Sequence, residues 1–150
     1  MAFLSSLDIS GSGLTAGRLR MDVISENISN AETTRTDAGG PYRRKIVEYK
    51  CADDDASFRS LLDGQIASSS APSTLKGVEV TGITEDRTPF NEEYDPSSPD
   101  ANAQGYVQKP NVDLVKETVD MMAVTRAYSA NLTALNAVKS MASKALEIGK

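Results

Sequence analysis

The sequence predicts an α+β fold, in which long N- and C-terminal helices pair as a coiled coil and flank a small β-rich middle segment. Apolar residues recur every seven positions near both chain ends, which is typical of helices that pack along a seam. Between them lie short β-branched and aromatic runs broken by Gly and Pro, which indicate short strands. The predicted division is residues 1–34 and 110–150 for the two helices and 35–109 for the middle domain, with a variable insert near 51–76.

The C-terminal helix is predicted from the run after Pro110, which contains no further Pro or Gly until Gly149. Asn111 is a candidate N-cap, because its side-chain oxygen can accept hydrogen bonds from the free amides of a first turn. Asp113 adds negative charge where the helix dipole favours it, and Gly149 with Lys150 suits the C-terminal end. A continuous helix here would be on the order of 55 Å long. We therefore expect much of its apolar face to pack against something other than a compact core.

The predicted seam of this helix follows a heptad repeat, in which apolar residues alternate at spacings of three and four. Its members, with two leucines that widen the stripe, are Met121, Val124, Tyr128, Asn131, Leu132, Leu135, Val138 and Leu146. Asn131 is the polar exception. It either sets the register, as a buried Asn does in coiled coils, or forms a hydrogen bond to a neighbouring backbone, and the sequence leaves both readings open.

The N-terminal helix is predicted from Leu14 to Asn30, where the same repeat occurs with charged residues on the other faces. Gly11 and Gly13 are expected to weaken a helix at that point. The predicted seam residues are Leu7, Leu14, Met21, Ile24 and Ile28. We expect the two seams to be buried against each other or against partners.

In the middle segment, runs of β-branched and aromatic residues predict a strand over Tyr42–Tyr49, a second around Val78–Ile83 and a third over Tyr106–Gln108. The basic triplet 43–45 could form an anion site, but it is interpreted as a solvated strand face because its charges are few and acidic residues surround them. Residues 58–66 could form a short helix, 68–73 a flexible Ser-rich connection and 88–104 an extended, turn-rich strap.

Composition argues against several functional classes. The chain has a net charge of −5 and no histidine, and 39% of its residues are hydrophobic. It therefore lacks the basic face of a nucleic-acid binder and the commonest general base. Lone Cys51 is close to three aspartates, which disfavour a reactive thiolate. No motif predicts a metal, a cofactor or a small-molecule substrate, so an enzyme has no positive support. No run is long and apolar enough to cross a bilayer, and no secretory signal is recognisable, which by itself suggests a cytoplasmic protein.

Five motifs resemble those of the bacterial flagellar rod and hook proteins. Residues 12–34 and 126–131 are similar to the N- and C-terminal signatures of that family, and residues 39–44, 94–107 and 110–113 resemble the narrower motifs of its proximal rod members. Ser29 and Glu32 depart from the family pattern, and 51–76 has no recognised counterpart. The motif residues are Asn27, Asn30, Pro41, Tyr42, Tyr94, Pro96, Gly105, Tyr106, Pro110, Asn111 and Arg126.

The resemblance implies a non-enzymatic subunit of the flagellar basal body. Such a protein leaves the cytoplasm unfolded through the flagellar type III export apparatus, without a cleaved signal, and assembles helically outside the inner membrane around the export channel. The implied partners are other copies of itself, other rod proteins, and components of the inner-membrane ring and export gate. The alternatives are another axial subunit, or a soluble coiled-coil adaptor or export chaperone that would keep both helices folded as a free monomer.

Overall fold

A computed structural model describes residues 2–37, 39–52 and 77–148. Helix α1 (Ala2–Ser29) is followed by strands β1 (Lys45–Cys51), β2 (Val78–Glu85), β3 (Asn91–Tyr94) and β4 (Tyr106–Lys109), and then by helix α2 (Leu114–Ile148). The predicted α+β class, with a long helix at each end of the chain and strands between them, is confirmed. The predicted short helix, the Ser-rich connection and the Gly149–Lys150 helix end lie outside the described residues.

The chain forms two compact units, and both helices contribute to each. The first unit comprises Met1–Ala16, Tyr49–Thr81 and Tyr128–Lys150, and the second comprises Gly17–Glu48 and Gly82–Ala127. The described apolar core is small and rich in valine. Ala16 is its buried member in the first unit; those in the second are Val23, Ile24, Tyr42, Val107, Val112 and Val124. With so few buried apolar side chains, polar interactions carry more of the internal packing.

Helix α1 starts far earlier than the sequence predicts. It runs without interruption through Gly11 and Gly13, where a weakened helix was expected. The Ser12 hydroxyl donates to the carbonyl of Ile9 and the Thr15 hydroxyl to that of Gly11, so both side chains are accommodated within the helix. At the other end Asn30 donates to the carbonyl of Glu26 through its side-chain amide, at 3.0 Å, and so closes the last turn.

The predicted N-cap of helix α2 is wrong. The helix starts at Leu114, and Asp113 caps it by accepting hydrogen bonds from the backbone amides of Val115 at 2.9 Å and Lys116 at 3.3 Å. Asn111 lies two residues too early for this role. Its side chain is used instead in long-range hydrogen bonds, and these override its local capping preference.

The four strands form two separate two-stranded sheets, β1–β2 and β3–β4. Backbone hydrogen bonds from Ala52 to Gly77 and from Asp86 to Arg44 flank the first pair, so its strands run in opposite directions. The predicted first strand is displaced, because it begins at Lys45 rather than Tyr42. The predicted strap is also partly regular, since Asn91–Tyr94 pairs antiparallel with β4.

The β3–β4 turn explains the motif residues of the strap. Tyr94 and Tyr106 are directly paired across the two strands, and their rings meet edge to face at 5.3 Å. Gly105 has a φ of +83°, a conformation that favours glycine. A methyl group there would lie 2.9 Å from Tyr94 Cε2 and 3.4 Å from Pro96 Cβ. The turn therefore requires glycine both for its backbone and for the close approach of the tyrosine ring.

Gly105→Ala is expected to destabilise this turn by about 1–2 kcal/mol, because left-handed backbone and a close contact are penalised together. The measurement is urea unfolding of the purified chain followed by tyrosine fluorescence. Gly39→Ala is the matched control, because Gly39 has a similar φ of +86° but open space around it. Equal losses for the two variants would show that only backbone strain matters and that the tyrosine contact does not.

Candidate functional site

Burial along α2 follows the predicted heptad repeat. Met121, Tyr128, Leu135 and Val138 are half-buried and Val124 is buried, whereas most residues between them are exposed. Leu132 and Leu146, which were added to widen the stripe, are exposed at 43% and 76%. Within the chain, this helix therefore packs through the narrower seam of residues spaced three and four apart, without the two added leucines. Contact of this seam with neighbouring subunits remains a prediction.

The buried side of α1 only partly coincides with the predicted seam. Ile24 is buried, while Leu7, Leu14, Met21 and Ile28 are half-buried. Ala16, Val23 and Asn27 are buried as well, although the heptad pattern did not assign them to the seam. Met21 contacts α2, because its sulfur lies 3.8 Å from the Thr125 hydroxyl.

Asn27 is the centre of a buried polar cluster in the second unit, with only 1% of its surface exposed. Its amide nitrogen donates to the carbonyl of Lys45 at 2.9 Å and to Glu117 Oε2 at 3.2 Å. Its carbonyl oxygen accepts from the Tyr42 hydroxyl and the Lys45 amide, each at 2.9 Å. An Asn side chain offers two donors and one oxygen with two lone pairs. All of these are used, so this one side chain links α1, β1 and α2.

Glu117 brings a carboxylate into the same cluster and is fully buried, at 0% exposure. Arg44 neutralises it through a hydrogen bond of 2.6 Å between Nε and Oε1. Two further carboxylates, of Asp86 at 3.5 Å and Asp120 at 3.8 Å, lie beside the same guanidinium. A buried carboxylate is tolerated only with such a partner and with its remaining lone pairs satisfied.

The solvated strand face predicted for the basic triplet is therefore wrong. The side chain of Arg44 is only 17% exposed. Arg43 lies over the ring of Phe90, with its guanidinium carbon 4.3 Å from the ring centroid, and Lys45 pairs with Glu26. Each of the three cations has a partner within the chain, and of these the Lys45–Glu26 pair is partly exposed, at 33% and 42%.

Asn111 extends the cluster towards the end of β2. Its side-chain oxygen accepts from the Arg44 amide at 2.9 Å. Its nitrogen donates to the carbonyl of Asp86 at 3.1 Å and to the Thr88 hydroxyl at 2.8 Å. The preceding residue, Pro110, is fully buried. The segment that leads into α2 is thereby fixed to the segment that follows β2.

Two pKa shifts reflect the burial and charge of this cluster. Burial, together with the nearby carboxylates of Glu26, Glu117 and Glu85, raises the pKa of Tyr42 to about 12. Burial opposes the charge of Arg44, but its hydrogen bond and attraction to Glu117, aided by Asp86, offset this and raise its pKa. At neutral pH both groups therefore remain protonated and donate.

The structure brings together some of the motif residues but not all. Asn27, Tyr42 and Asn111 meet in the cluster, and four others form the β3–β4 turn. Asn30 closes α1. Pro41 follows a turn at Gly39 and Gly40, both with positive φ. Arg126 is exposed on α2 and joins none of these groups.

Sequence reasoning did not select Glu117 and Arg44 as site residues. Glu117 lies one heptad before Val124, so extending the α2 seam backwards would have placed a carboxylate in it. That signal could have indicated a buried charge that needs a cation, and Arg44 belongs to a motif already singled out.

Asn131, the polar residue of the seam, packs against α1 in the first unit. A methyl group on Gly13 would lie 2.6 Å from the Asn131 amide nitrogen. Only a residue without a side chain fits at this distance unless Asn131 moves. Gly13, which was expected to weaken α1, therefore provides room for the Asn131 amide.

Among the described residues, no three acidic or cysteine side chains are grouped so as to hold a metal ion. Within the described helices, none has the length and apolar character that a membrane span requires.

Comparison with known families places these features in a class. The family model described as flagella basal body rod protein matches residues 7–35, which contain most of α1. The model described as flagellar basal body rod FlgEFG protein C-terminal matches residues 103–148, which contain β4 and α2. Both ends of the chain thus match families of flagellar rod proteins, and each match includes one partner of the Asn27–Glu117 hydrogen bond.

Curated relatives match the whole chain. The chain is 52% identical to the flagellar basal-body rod protein FlgC of Bacillus subtilis strain 168, with 100% of both chains covered. It is 41% identical to FlgC of Borreliella burgdorferi, over 99% of this chain and 98% of that protein. It is 39% identical to FlgC of Salmonella typhimurium, with full coverage of both. The chain belongs to the FlgC family of flagellar basal-body rod proteins, which are structural proteins.

Glu117→Gln is expected to lower the free energy of unfolding by about 3 kcal/mol, because Arg44 would lose its buried counter-charge. Urea unfolding followed by far-UV circular dichroism measures this. Glu147→Gln is the control on the same helix, since the exposed Glu147–Lys144 pair should contribute less than about 1 kcal/mol. Similar losses for the two variants would mean that Glu117 is not held in a buried pair.

The raised pKa of Tyr42 predicts a loss of stability at alkaline pH. A tyrosine unfolded in water titrates near pH 10, whereas folded Tyr42 keeps its proton to about pH 12. Its contribution is therefore complete below pH 10 and is lost progressively from pH 10 to 12. The free energy of unfolding, measured across this pH range, should fall less steeply with pH in Tyr42→Phe than in the parent. Tyr94→Phe, which alters an exposed ring, should behave like the parent. A parent and a Tyr42→Phe variant with equal slopes would contradict the assignment.

Proposed function

We propose that the chain is a non-enzymatic subunit of the proximal rod of the flagellar basal body. It is exported by the flagellar type III apparatus without a cleaved signal and assembles helically around the export channel, where it transmits torque. Its place is outside the inner membrane, in the periplasm or cell wall. The observation that carries this proposal is the full-length match to proteins named as basal-body rod proteins.

The surface of α2 supports an assembling subunit. Val115, Val119 and Met122 are 72%, 54% and 55% exposed, and their spacing of four and three residues places them along one side of the helix. This side differs from the seam that contains Met121 and Val124. An exposed row of large apolar residues on a chain with a small core is typical of a surface that a neighbour covers.

The partners we infer are other copies of the chain, other rod proteins, and components of the inner-membrane ring and the export gate. The half-buried seam residues of both helices are proposed as the contact residues. Because they are only partly covered within the chain, a neighbouring helix can bury them further. No nucleic acid or small-molecule substrate is part of this function.

The proposed division assigns residues 1–34 and 110–150 to the helical tube and 35–109 to an outward-facing middle domain. The described charges of the cluster support a structural role, because Arg44 and Glu117 are each occupied by a partner within the fold. A catalytic pair would instead need access to a substrate. We therefore infer no catalysis and no cofactor.

Leu135→Asp is expected to abolish incorporation into the basal body, because a charge would be buried without a partner in the seam. Ala134→Asp introduces the same side chain at the neighbouring exposed position and should be incorporated normally. The assay is immunoblotting of isolated basal bodies and of exported protein, combined with motility. Normal rods containing Leu135→Asp would contradict the proposed interface. Loss of export by both variants would mean that their failure to assemble does not depend on the seam position.

A further inference from the structure

Two contacts that each involve a polar side chain join α1 to α2, one in each unit. In the second unit Asn27 donates to Glu117. In the first unit the Asn131 amide lies against Gly13. The two α1 positions are fourteen residues apart, and so are the two α2 positions, in the opposite chain direction. Fourteen residues are two heptads, so both contacts belong to one antiparallel register.

The apolar seam alone defines this register weakly. A heptad repeat places similar side chains at every seventh position, so a slip of seven residues leaves apolar residues facing apolar residues. The α2 seam consists largely of Val, Leu and Met with one Tyr, and α1 contributes Gly13 and Ala16 to its packed side. Such a surface can pack in more than one alignment at similar free energy.

We propose that the Asn27–Glu117–Arg44 cluster and the Gly13–Asn131 contact together select the register of the two helices. A slip of seven residues would place Asn27 opposite Val124, so that its amide would lose its partner on α2, and would remove Glu117 from the cation that neutralises it. The same slip would place Asn131 opposite Arg20 instead of a glycine. The buried Glu117 cluster favours one alignment because only one arrangement satisfies its charge and hydrogen bonds, and Gly13 favours the same alignment because it leaves room for the Asn131 amide. This role concerns the folding of a single chain and does not depend on the proposed rod assembly.

Disulfide trapping in the purified full-length chain tests the register directly. All variants carry Cys51→Ser. Met21→Cys with Thr125→Cys reports the observed register, because these side chains are in contact. Met21→Cys with Leu132→Cys reports a slip of seven residues. After oxidation with copper phenanthroline in air, intramolecular disulfides are quantified by non-reducing electrophoresis and peptide mass spectrometry.

With both contacts intact, the register pair is expected to form its disulfide and the slip pair to form little. Removing the contacts with Asn27→Leu, Arg44→Met, Glu117→Leu, Gly13→Ala and Asn131→Leu should raise the slipped disulfide by about tenfold or more relative to the register disulfide. Val23→Ala, which removes buried apolar packing but leaves both polar contacts, should keep the original ratio.

Three outcomes would overturn the proposal. The variant without polar contacts could retain the original ratio, which would assign the register to apolar packing. Val23→Ala could increase slipping as much, which would make the effect one of stability alone. The variant could also lose both disulfides while Val23→Ala keeps the register disulfide, which would mean that the contacts are needed for pairing itself and not for choosing the alignment.

Discussion

The buried carboxylate of Glu117 is the constraint on which the second unit depends. A charge without solvent exposure must be neutralised and hydrogen-bonded, so Arg44 and Asn27 have to occupy fixed positions around it. Arg44 in turn sets the start of β1, and its backbone positions Asn111. The arrangement of α1, the loop before β1, the end of β2 and the start of α2 thus follows from satisfying one carboxylate. In a fold with few buried apolar side chains, this polar requirement adds specificity that hydrophobic burial alone does not supply.

Local signals in the sequence predict much of the fold. Heptad spacing is a property of one helix at a time, so both helices, and the exposure pattern of α2, could be read from it. β-branched runs predicted strands near their observed positions, although Lys45 rather than Tyr42 begins the first. The weak point predicted at Gly11 and Gly13 was wrong, because helix propensity is a weak local term that tertiary context outweighs. At Gly13 that context is the packing of Asn131 from α2. The strand Asn91–Tyr94 was missed, because its acidic composition disfavours a strand and only pairing with β4 stabilises it.

Long-range partners account for what the sequence could not provide. Asn111 has the local character of an N-cap, yet three of its partners lie in segments more than twenty residues away. Arg44 appeared to belong to a solvated face because its partner, Glu117, is distant in the chain. The motif residues could be recognised by resemblance, but their physical reasons emerged only when Asn27, Tyr42 and Asn111 were found in one hydrogen-bonded cluster and Gly105 beneath the Tyr94 ring.

The 90 residues that separate Asn27 from Glu117 have a consequence for how the chain acquires its structure. Closing so long a loop is entropically costly, and contacts of this sequence separation form late and slowly. A chain that emerges from a narrow channel with its N-terminus first would present Asn27, and then Arg44, well before Glu117 became available. The emerging part could not complete this polar cluster, and so could not fold fully, before Glu117 was through the channel. Under the proposed export, the separation of these two residues along the chain would delay completion of the polar cluster until Glu117 has left the channel.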